Sequence, residues 1–293
     1  MNQQRHSPVA APDAASASTK LANVANAIGQ PFMVKPLQWL WCLLPLVIWT
    51  AVELLFVNTA LFKQINSATH KLPDLFWVFF NMLGNGWGVF ALLSPLLLVA
   101  PRALTATLFA GGLAGVLSRS LKVSLQFPRP ASVLDETSFH ILGNPLTSLA
   151  MPSGHTLTAF AVATALYFSV APTRRLYAVW LFVLASLAGL ARIAVGAHWP
   201  ADVFAGMSIG LFSGMVGVTL AKRLPLRQLA PQAWLMRAAC GGAALCVYML
   251  LTERLDFEET RPFQYLAAIL ASASIIWFVR QTLRPVRPLA SFS

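Results

Sequence analysis

The chain has 293 residues, of which 57% are hydrophobic and 11% are charged, and its formal net charge is +11. Soluble domains carry about 25% charged residues, so this composition excludes an ordinary soluble fold and favours a membrane protein. The basic residues occupy short segments between long apolar runs, which is typical of membrane topology rather than of a nucleic-acid-binding surface. We therefore expect membrane lipids, and no nucleic acid, as partners.

The predicted elements are a polar tail followed by membrane helices. Residues 1–34 are polar and predict a disordered tail without a cleaved signal peptide. Eight apolar runs follow, at about 37–57, 76–99, 103–121, 154–171, 176–195, 201–221, 234–251 and 264–280. Only helices and closed barrels satisfy the backbone in lipid, and the alternation of a barrel is absent. The sequence predicts an all-α, polytopic transmembrane helix bundle with about eight spans.

Charge asymmetry predicts the orientation of this bundle. If the N-terminus is inside, the inner segments carry most of the Lys and Arg residues, and Asp13 is their single acid. The positive-inside rule then assigns both termini to the cytoplasm. The loops at about 122–153, 192–200 and 252–263 share the outer face, which is the periplasmic face if the membrane is a bacterial inner membrane.

Small and polar residues inside the runs predict helix packing. Gly111 and Gly115 have the spacing of close helix contacts, and the same spacing repeats in the sixth run. That repeat consists of Gly206, Gly210 and Gly214. Asn81 and Asn85 are interpreted as interhelical hydrogen-bonding groups.

Three polar segments at the outer ends of the spans predict a phosphate site. Lys122, Arg129 and Arg192 bring three positive charges together, which is costly near low-dielectric walls unless an anion binds. Arginine presents donors that match phosphate oxygens. Ser153 is a natural N-cap, and the N–H groups that begin at Gly154 point along a favourable helix dipole. The pattern predicts a phosphate cradle without a metal.

Two histidines add catalytic groups to this cradle. His198 and Asp202 are four residues apart, so on a helix the carboxylate can hold one ring nitrogen and leave the other as a nucleophile. His155 lies in the first turn of its own helix and can protonate a leaving alkoxide, then activate water. A metal site built from these residues is rejected, because the neighbouring cations would repel a divalent ion.

These segments resemble the three signature motifs of the type 2 phosphatidic acid phosphatase family. The first motif of that family is Lys, six residues and Arg-Pro, the second is Pro-Ser-Gly-His, and the third is Ser-Arg, five residues, His, three residues and Asp. The chain matches all three except that Ala191 stands where the family has Ser. The resemblance covers about 76–222 and implies a six-helix core, so the last two spans are additions.

The resemblance also implies roles for individual residues. His198 would form a phosphohistidine, Asp202 would orient it, and His155 would be the acid. The phosphoryl oxygens would be bound by Lys122, Arg129, Ser153, Gly154 and Arg192. No metal or other cofactor is implied. The chain divides into a tail (1–34), a phosphatase core (35–223) and a pair of additional helices with a short tail (224–293).

The expected function is a metal-independent lipid phosphatase with its site at the periplasmic face. Candidate substrates, by resemblance, are undecaprenyl pyrophosphate, phosphatidic acid, phosphatidylglycerol phosphate and lipid A phosphate, with a weak preference for a polyprenyl or glycerolipid substrate. Three alternatives stay open: a phosphotransferase that uses the same intermediate, a non-enzymatic transporter of phosphorylated lipid, and a vanadate haloperoxidase. The sequence does not predict an oligomeric state.

Three further residues lie near these motifs. Arg119 is one helical turn before Lys122 and either supports the phosphate or extends to the membrane surface. His140 is expected to be a solvated loop residue, and Trp199 is expected to shape the rim of the pocket.

Overall fold

The structure is a computed structural model that describes residues 34–283, and all of its regular secondary structure there is helical. The predicted tails, 1–34 and the end of 224–293, lie almost entirely outside the described residues. The principal helices are α1 (Leu43–Leu54), α2 (Asn58–Thr69), α3 (Asp74–Met82), α4 (Gly86–Leu92), α5 (Pro101–Leu125), α6 (Gly154–Ser169), α7 (Trp180–Ala194), α8 (Pro200–Arg223), α9 (Trp234–Thr252) and α10 (Arg261–Leu283). Single-turn helices cover Leu96–Val99, Pro130–Val133 and Arg175–Ala178.

The membrane character of the fold is carried by six long apolar stretches among the described residues. They are Pro36–Leu54, Pro101–Val133, Pro172–Ala194, Pro200–Arg223, Leu226–Thr252 and Glu258–Leu283. The bent pair α3 and α4 would make a seventh span. Helix α6 has 16 residues, which is shorter than a typical membrane-crossing helix. The all-helical membrane fold is therefore confirmed, whereas the count of eight spans stays a prediction.

The second span differs from its prediction. The apolar run 76–99 was predicted to form one helix, but α3 and α4 meet there at an angle of 73°. Asn85 is the N-cap of α4, because its side chain accepts hydrogen bonds from the backbone N–H groups of Trp87 (3.0 Å) and Gly88 (3.4 Å). A capping amide between two glycines stops one helix and starts the next.

Helix α8 lies at the centre of the bundle and packs against α1, α5 and α6. A Cβ atom at Gly206 would lie 2.7 Å from the carbonyl oxygen of Ser153, and one at Gly210 would lie 2.6 Å from that of Leu157. The predicted close contact along this glycine repeat is confirmed. Its consequence is that the start of α6 is held against the start of α8, where the Ser153 N–H donates to the Asp202 carbonyl oxygen at 3.0 Å.

The glycine pair of α5 behaves differently from its prediction. Gly111 contacts the ring of Phe90, so its packing role is confirmed. The prediction for Gly115 is wrong, because a Cβ atom there would meet nothing within 4 Å. Gly115 instead lines the cavity of the candidate site, described below. Spacing alone does not show which face of a helix has a partner.

Helix α2 was not predicted, because it is polar on average and the sequence was searched for apolar runs. Phe62, Asn66 and Thr69 are its buried residues, at the spacing of one helical face. The Asn66 side chain donates to the carbonyl oxygens of Ile193 (3.0 Å), Ala194 (3.1 Å) and His140 (3.0 Å). It also accepts from the His140 N–H at 2.8 Å. One buried amide thus links the long loop between α5 and α6, which contains His140, to the end of α7.

The additional helices α9 and α10 pack against each other and against α4. The apolar contact includes Ala91, Cys246, Leu250, Leu255 and Ala267, all of which are buried. The segment between the two helices, residues 253–260, therefore reaches the bend between α3 and α4. The division of the chain into a core and an added pair stays a prediction.

Candidate active site

The three predicted motifs converge at one end of the bundle, where α5 ends and α6 and α8 begin. His198 lies in the loop between α7 and α8 and is 2% exposed. Its Nδ1 is 3.1 Å from Oδ2 of Asp202, and its Nε2 is 3.1 Å from Nη1 of Arg129. The same Asp202 oxygen accepts the Trp199 N–H at 2.9 Å, which fixes the carboxylate.

These partners determine the protonation of the His198 ring. A guanidinium only donates hydrogen bonds, so Nε2 must accept from Arg129 through its lone pair. Nδ1 then carries the proton and donates to Asp202. His198 is thereby held in the neutral tautomer whose Nε2 is a nucleophile. Burial lowers the pKa of His198 well below its usual value. The nearby positive charges of Arg129, Arg192 and Lys122 lower this pKa further.

Lys122 and Arg129 are held by carbonyl groups of the long loop. The Lys122 ammonium donates to the carbonyl oxygen of Ala150 at 3.3 Å and also to that of Leu149. Arg129 donates through Nε to Ser148 (2.7 Å) and through Nη1 to Ala197 (2.9 Å). Neutral acceptors orient the two cations without cancelling their charges, so both remain able to attract an anion.

Arg192 is the third cation of the predicted cluster. It lies in the last turn of α7, is 3% exposed, and donates through Nη1 to Oδ1 of Asn81 in α3. The interhelical role predicted for Asn81 is thus confirmed. The Arg192 Nε is buried and has no hydrogen-bond partner among residues 34–283.

Ser153 and Gly154 begin α6 as predicted. Ser153 is the N-cap residue, but its hydroxyl does not cap the helix and instead accepts from the hydroxyl of Thr156 at 2.9 Å. The phosphate-binding potential of this end therefore comes from the backbone N–H groups and the helix dipole. A Cβ atom at Gly154 would lie 3.2 Å from Oγ of Ser118 and 4.0 Å from Cε of Lys122, so the helix start faces the lysine.

His155 has a partner that the sequence did not reveal. Its Nε2 is 3.0 Å from Oδ2 of Asp256, which comes from the segment between α9 and α10. The same carboxylate accepts from Nδ2 of Asn85 at 2.9 Å. The signal available in the sequence was the acidic loop 252–263, which was expected on the same face. Close approach is possible because a Cβ atom at Gly84 would lie only 2.7 Å from Cβ of His155.

Asp256 is ionised in this arrangement. Burial raises the pKa of Asp256, but the positive charges of His155 and Arg192 and the hydrogen bond from Asn85 outweigh burial, so the pKa lies far below its ordinary value. A carboxylate only accepts, so Nε2 of His155 carries a proton. Each predicted catalytic histidine therefore has an aspartate partner, Asp202 for His198 and Asp256 for His155.

A cavity of about 250 Å³ opens beside these groups. Its lining includes Lys122, Gly154 and His155 from the motifs, together with Gly115 and Arg119. Arg119 is exposed at this cavity, which supports its interpretation as a residue of the phosphate region. Neither His198 nor Arg129 is among the lining residues.

The predictions for His140 and Trp199 are corrected. His140 is not a free loop residue, because its Nε2 is 2.9 Å from Oδ1 of Asp74 and its ring lies 4.2 Å from that of His70. Trp199 is buried rather than at the rim, and its Nε1–H donates to the carbonyl oxygen of Pro128 at 2.9 Å. That bond ties the first motif to the third.

The comparisons with known proteins agree with this arrangement. A family model described as the PAP2 superfamily matches residues 103–225. The crystal structure of Aquifex aeolicus LpxE is similar, with a TM-score of 0.50 and 36% sequence identity over 56% of this chain and 95% of that one. The chain belongs to the PAP2 superfamily.

Two relatives outside the solved structures extend this result. The lipid A 1-phosphatase of Rhizobium etli is 35% identical over 44% of this chain and 54% of its own length. The undecaprenyl-diphosphatase of Sulfolobus acidocaldarius is 28% identical over 59% of this chain and 82% of its own length. The chain spans about half the length of the Rhizobium etli protein. Membership of the PAP2 superfamily is shown, and helices α9 and α10 lie beyond residues 103–225, which the family model matches.

Proposed function

We propose that this PAP2 protein is a lipid phosphatase that works through a phosphohistidine on His198. The observation that carries the proposal is the state of the His198 ring. Asp202 holds Nδ1, and the Nε2 lone pair faces the cationic cluster that would bind the phosphoryl group. A binding protein for phosphorylated lipid would not need an oriented, neutral imidazole.

In the first step, Nε2 of His198 attacks phosphorus and the bond from phosphorus to the lipid oxygen breaks. Arg129 covers Nε2 in the free protein, so a phosphoryl oxygen must accept the hydrogen of the guanidinium for the attack to begin. The cations neutralise the charge that develops on the oxygens. The leaving oxygen takes the Nδ1 proton of a doubly protonated His155, whose Nε2–H stays bonded to Asp256. Asp202 stabilises the charge that His198 acquires.

In the second step, water attacks the phosphohistidine and the bond between nitrogen and phosphorus breaks. His155, which lost its proton in the first step, accepts the proton of this water. The products are free phosphate and the original neutral His198. Asp256 contacts no reacting atom in this scheme and acts as a positioning residue for His155.

Lipid A 1-phosphate is the first substrate that we propose to test. Support comes from the relatives named lipid A 1-phosphatase, which are 35–39% identical over the matched segments, against 28% for the undecaprenyl-diphosphatase. The family model covers the three motifs, within residues 103–225, but not α9 and α10, so polyprenyl and glycerolipid phosphates belong in the same panel.

The test is phosphate release by the purified chain from that panel, in the presence of a chelator. We expect release from at least one lipid, loss of more than about a thousandfold in His198→Ala, and a ³²P-labelled protein that is stable in alkali and labile in acid. Release of phosphate that survives His198→Ala would refute the mechanism. Transfer to an added lipid alcohol in preference to water would establish the phosphotransferase instead.

We also infer that the site faces the periplasm, because Arg174, Lys222 and Arg223 lie at the opposite ends of the helices. A membrane-impermeant thiol reagent applied to intact cells should label Ser138→Cys, which is exposed near the site, and not Thr173→Cys, which is exposed at the other end. Labelling of Thr173→Cys alone would reverse the orientation. The native cysteines are buried or half-buried, which limits background.

A further inference from the structure

A second and larger cavity lies between α4, α5 and α9. Its volume is about 590 Å³. The walls are almost wholly apolar, and the exceptions are Asn85 and Ser94. The apolar lining includes Trp87 and Phe90 of α4, Leu104 and Leu108 of α5, and Ala238 and Gly242 of α9. A buried water needs two to four polar partners, so these walls favour hydrocarbon over water as the occupant.

This apolar cavity adjoins the candidate active site. Asn85 and Gly86 line both the apolar cavity and the smaller cavity that contains Lys122 and His155. The bend between α3 and α4 is therefore the boundary between a cationic region and an apolar one. A lipid phosphate has the same division, with a charged phosphate at one end and hydrocarbon at the other.

Helix α9 forms one wall of the apolar cavity, and it lies outside residues 103–225, which the family model matches. Gly242 in this wall leaves open space, because a Cβ atom there would meet nothing within 4 Å. The two additional helices thus contribute to both regions, through Asp256 beside His155 and through Gly242 in the apolar wall.

We propose that the apolar cavity between α4, α5 and α9 binds one hydrocarbon chain of the substrate while the phosphate occupies the cationic site. This inference rests on the proposed function and deepens it. Transfer of the chain from bilayer to protein gains little hydrophobic free energy, because lipid tails are already in an apolar solvent. The benefit is positional, since a held chain aligns the phosphate with His198 and restricts its movement.

The test compares two glycines that are neighbours on α9. Gly242→Leu fills the apolar cavity, whereas Gly241→Leu adds the same side chain at a position that does not line it and also has open space. We expect Gly242→Leu to lower kcat/KM for a long-chain lipid phosphate about tenfold. We expect a change of less than about twofold for a water-soluble phosphate with the same head and a chain of a few carbons. Gly241→Leu should match wild type on both substrates.

A second variant guards against a folding defect in the first. Ala238→Phe fills the same cavity one helical turn away and should reproduce the selective loss. The inference would be overturned if Gly242→Leu and Ala238→Phe were as active as Gly241→Leu on the long-chain substrate. That result would show that any lipid in the cavity does not contribute to catalysis. If wild type releases no phosphate from either substrate, the proposed function itself fails, which is a different result from this one.

Discussion

The contact between Asp256 and His155 predicts a defined catalytic loss. Asp256→Asn keeps the size of the side chain and removes its charge, so Nε2 of His155 loses a charge-assisted hydrogen bond of 3.0 Å. Such bonds contribute about 1.5–3 kcal/mol. The Asp256 side chain is 22% exposed, and water replaces part of the lost interaction, so the lower half of that range applies. The expected decrease in kcat is about tenfold to fortyfold.

The assay separates a catalytic effect from a general loss of structure. Two phosphate esters are compared, one with an alkyl leaving group and one with a nitrophenyl leaving group, which departs without a proton. If Asp256 acts through the acid His155, the Asn variant should lose activity on the alkyl ester and retain most activity on the nitrophenyl ester. Because the pKa of Asp256 lies far below its ordinary value, the loss should persist to mildly acidic pH.

The control is Glu259→Gln, which removes an acid from the same segment. Glu259 is exposed and makes no side-chain hydrogen bond or ion pair within the described part of the chain. It should match wild type on both esters. Asp256→Glu, which restores the charge, should recover part of the activity. Equal losses on the alkyl and nitrophenyl esters in Asp256→Asn would refute the positioning role.

Three other predictions concern pH and stability. His198 attacks as a neutral ring, and its pKa is lowered from 6.5. In a plot of kcat/KM against pH, the acid limb due to His198 should therefore lie below 6.5. Lys122→Met removes a positive charge and should move this limb to higher pH. Asn66→Ala should lower the free energy of unfolding in detergent by about 2–3 kcal/mol, because buried carbonyl groups lose their donor. Gly210→Ala should cost about 1–3 kcal/mol, because its Cβ would lie 2.6 Å from the Leu157 carbonyl oxygen.

Each of these has a matched comparison. A Lys122→Met profile whose acid limb moves downward would contradict the electrostatic argument. Gln64→Ala, at an exposed site on α2, should leave the free energy of unfolding unchanged. A decrease as large as that of Asn66→Ala would contradict the stabilising role of the Asn66 hydrogen bonds. Gly112→Ala meets nothing within 4 Å and should be neutral or stabilising by less than about 1 kcal/mol. Equal behaviour of Gly112→Ala and Gly210→Ala would contradict the close contact of α6 and α8.

The residues that the sequence predicted well are those whose chemistry is local. His198 and Asp202 are one helical turn apart, so their pairing follows from spacing alone. Arg129, Lys122 and Arg192 were grouped by topology, which required only that their segments share a face. Apolar runs were enough to predict an all-helical membrane fold.

The residues that escaped prediction act across long sequence separations. Asp256 lies 101 positions from His155 and 171 positions from Asn85, and no local pattern pairs them. The bend at Asn85 was missed because Gly-Asn-Gly is only a short interruption of an otherwise continuous apolar run, and the whole run was interpreted as one helix. Helix α2 was missed because one buried face in a polar segment contributes little to mean hydropathy, although Asn66 on that face holds the long loop in position.

Asn85 makes two contacts: its side-chain oxygen caps α4 and its side-chain nitrogen donates to Asp256. The residues that interact around His155 therefore extend beyond the range that the family model matches. A fragment cut near residue 225 would keep residues 103–225, which the family model matches. It would nevertheless lose Asp256, the hydrogen-bond partner of His155, and the wall that α9 gives to the apolar cavity. A protein with the same motifs but without such a helical pair would need another partner for His155.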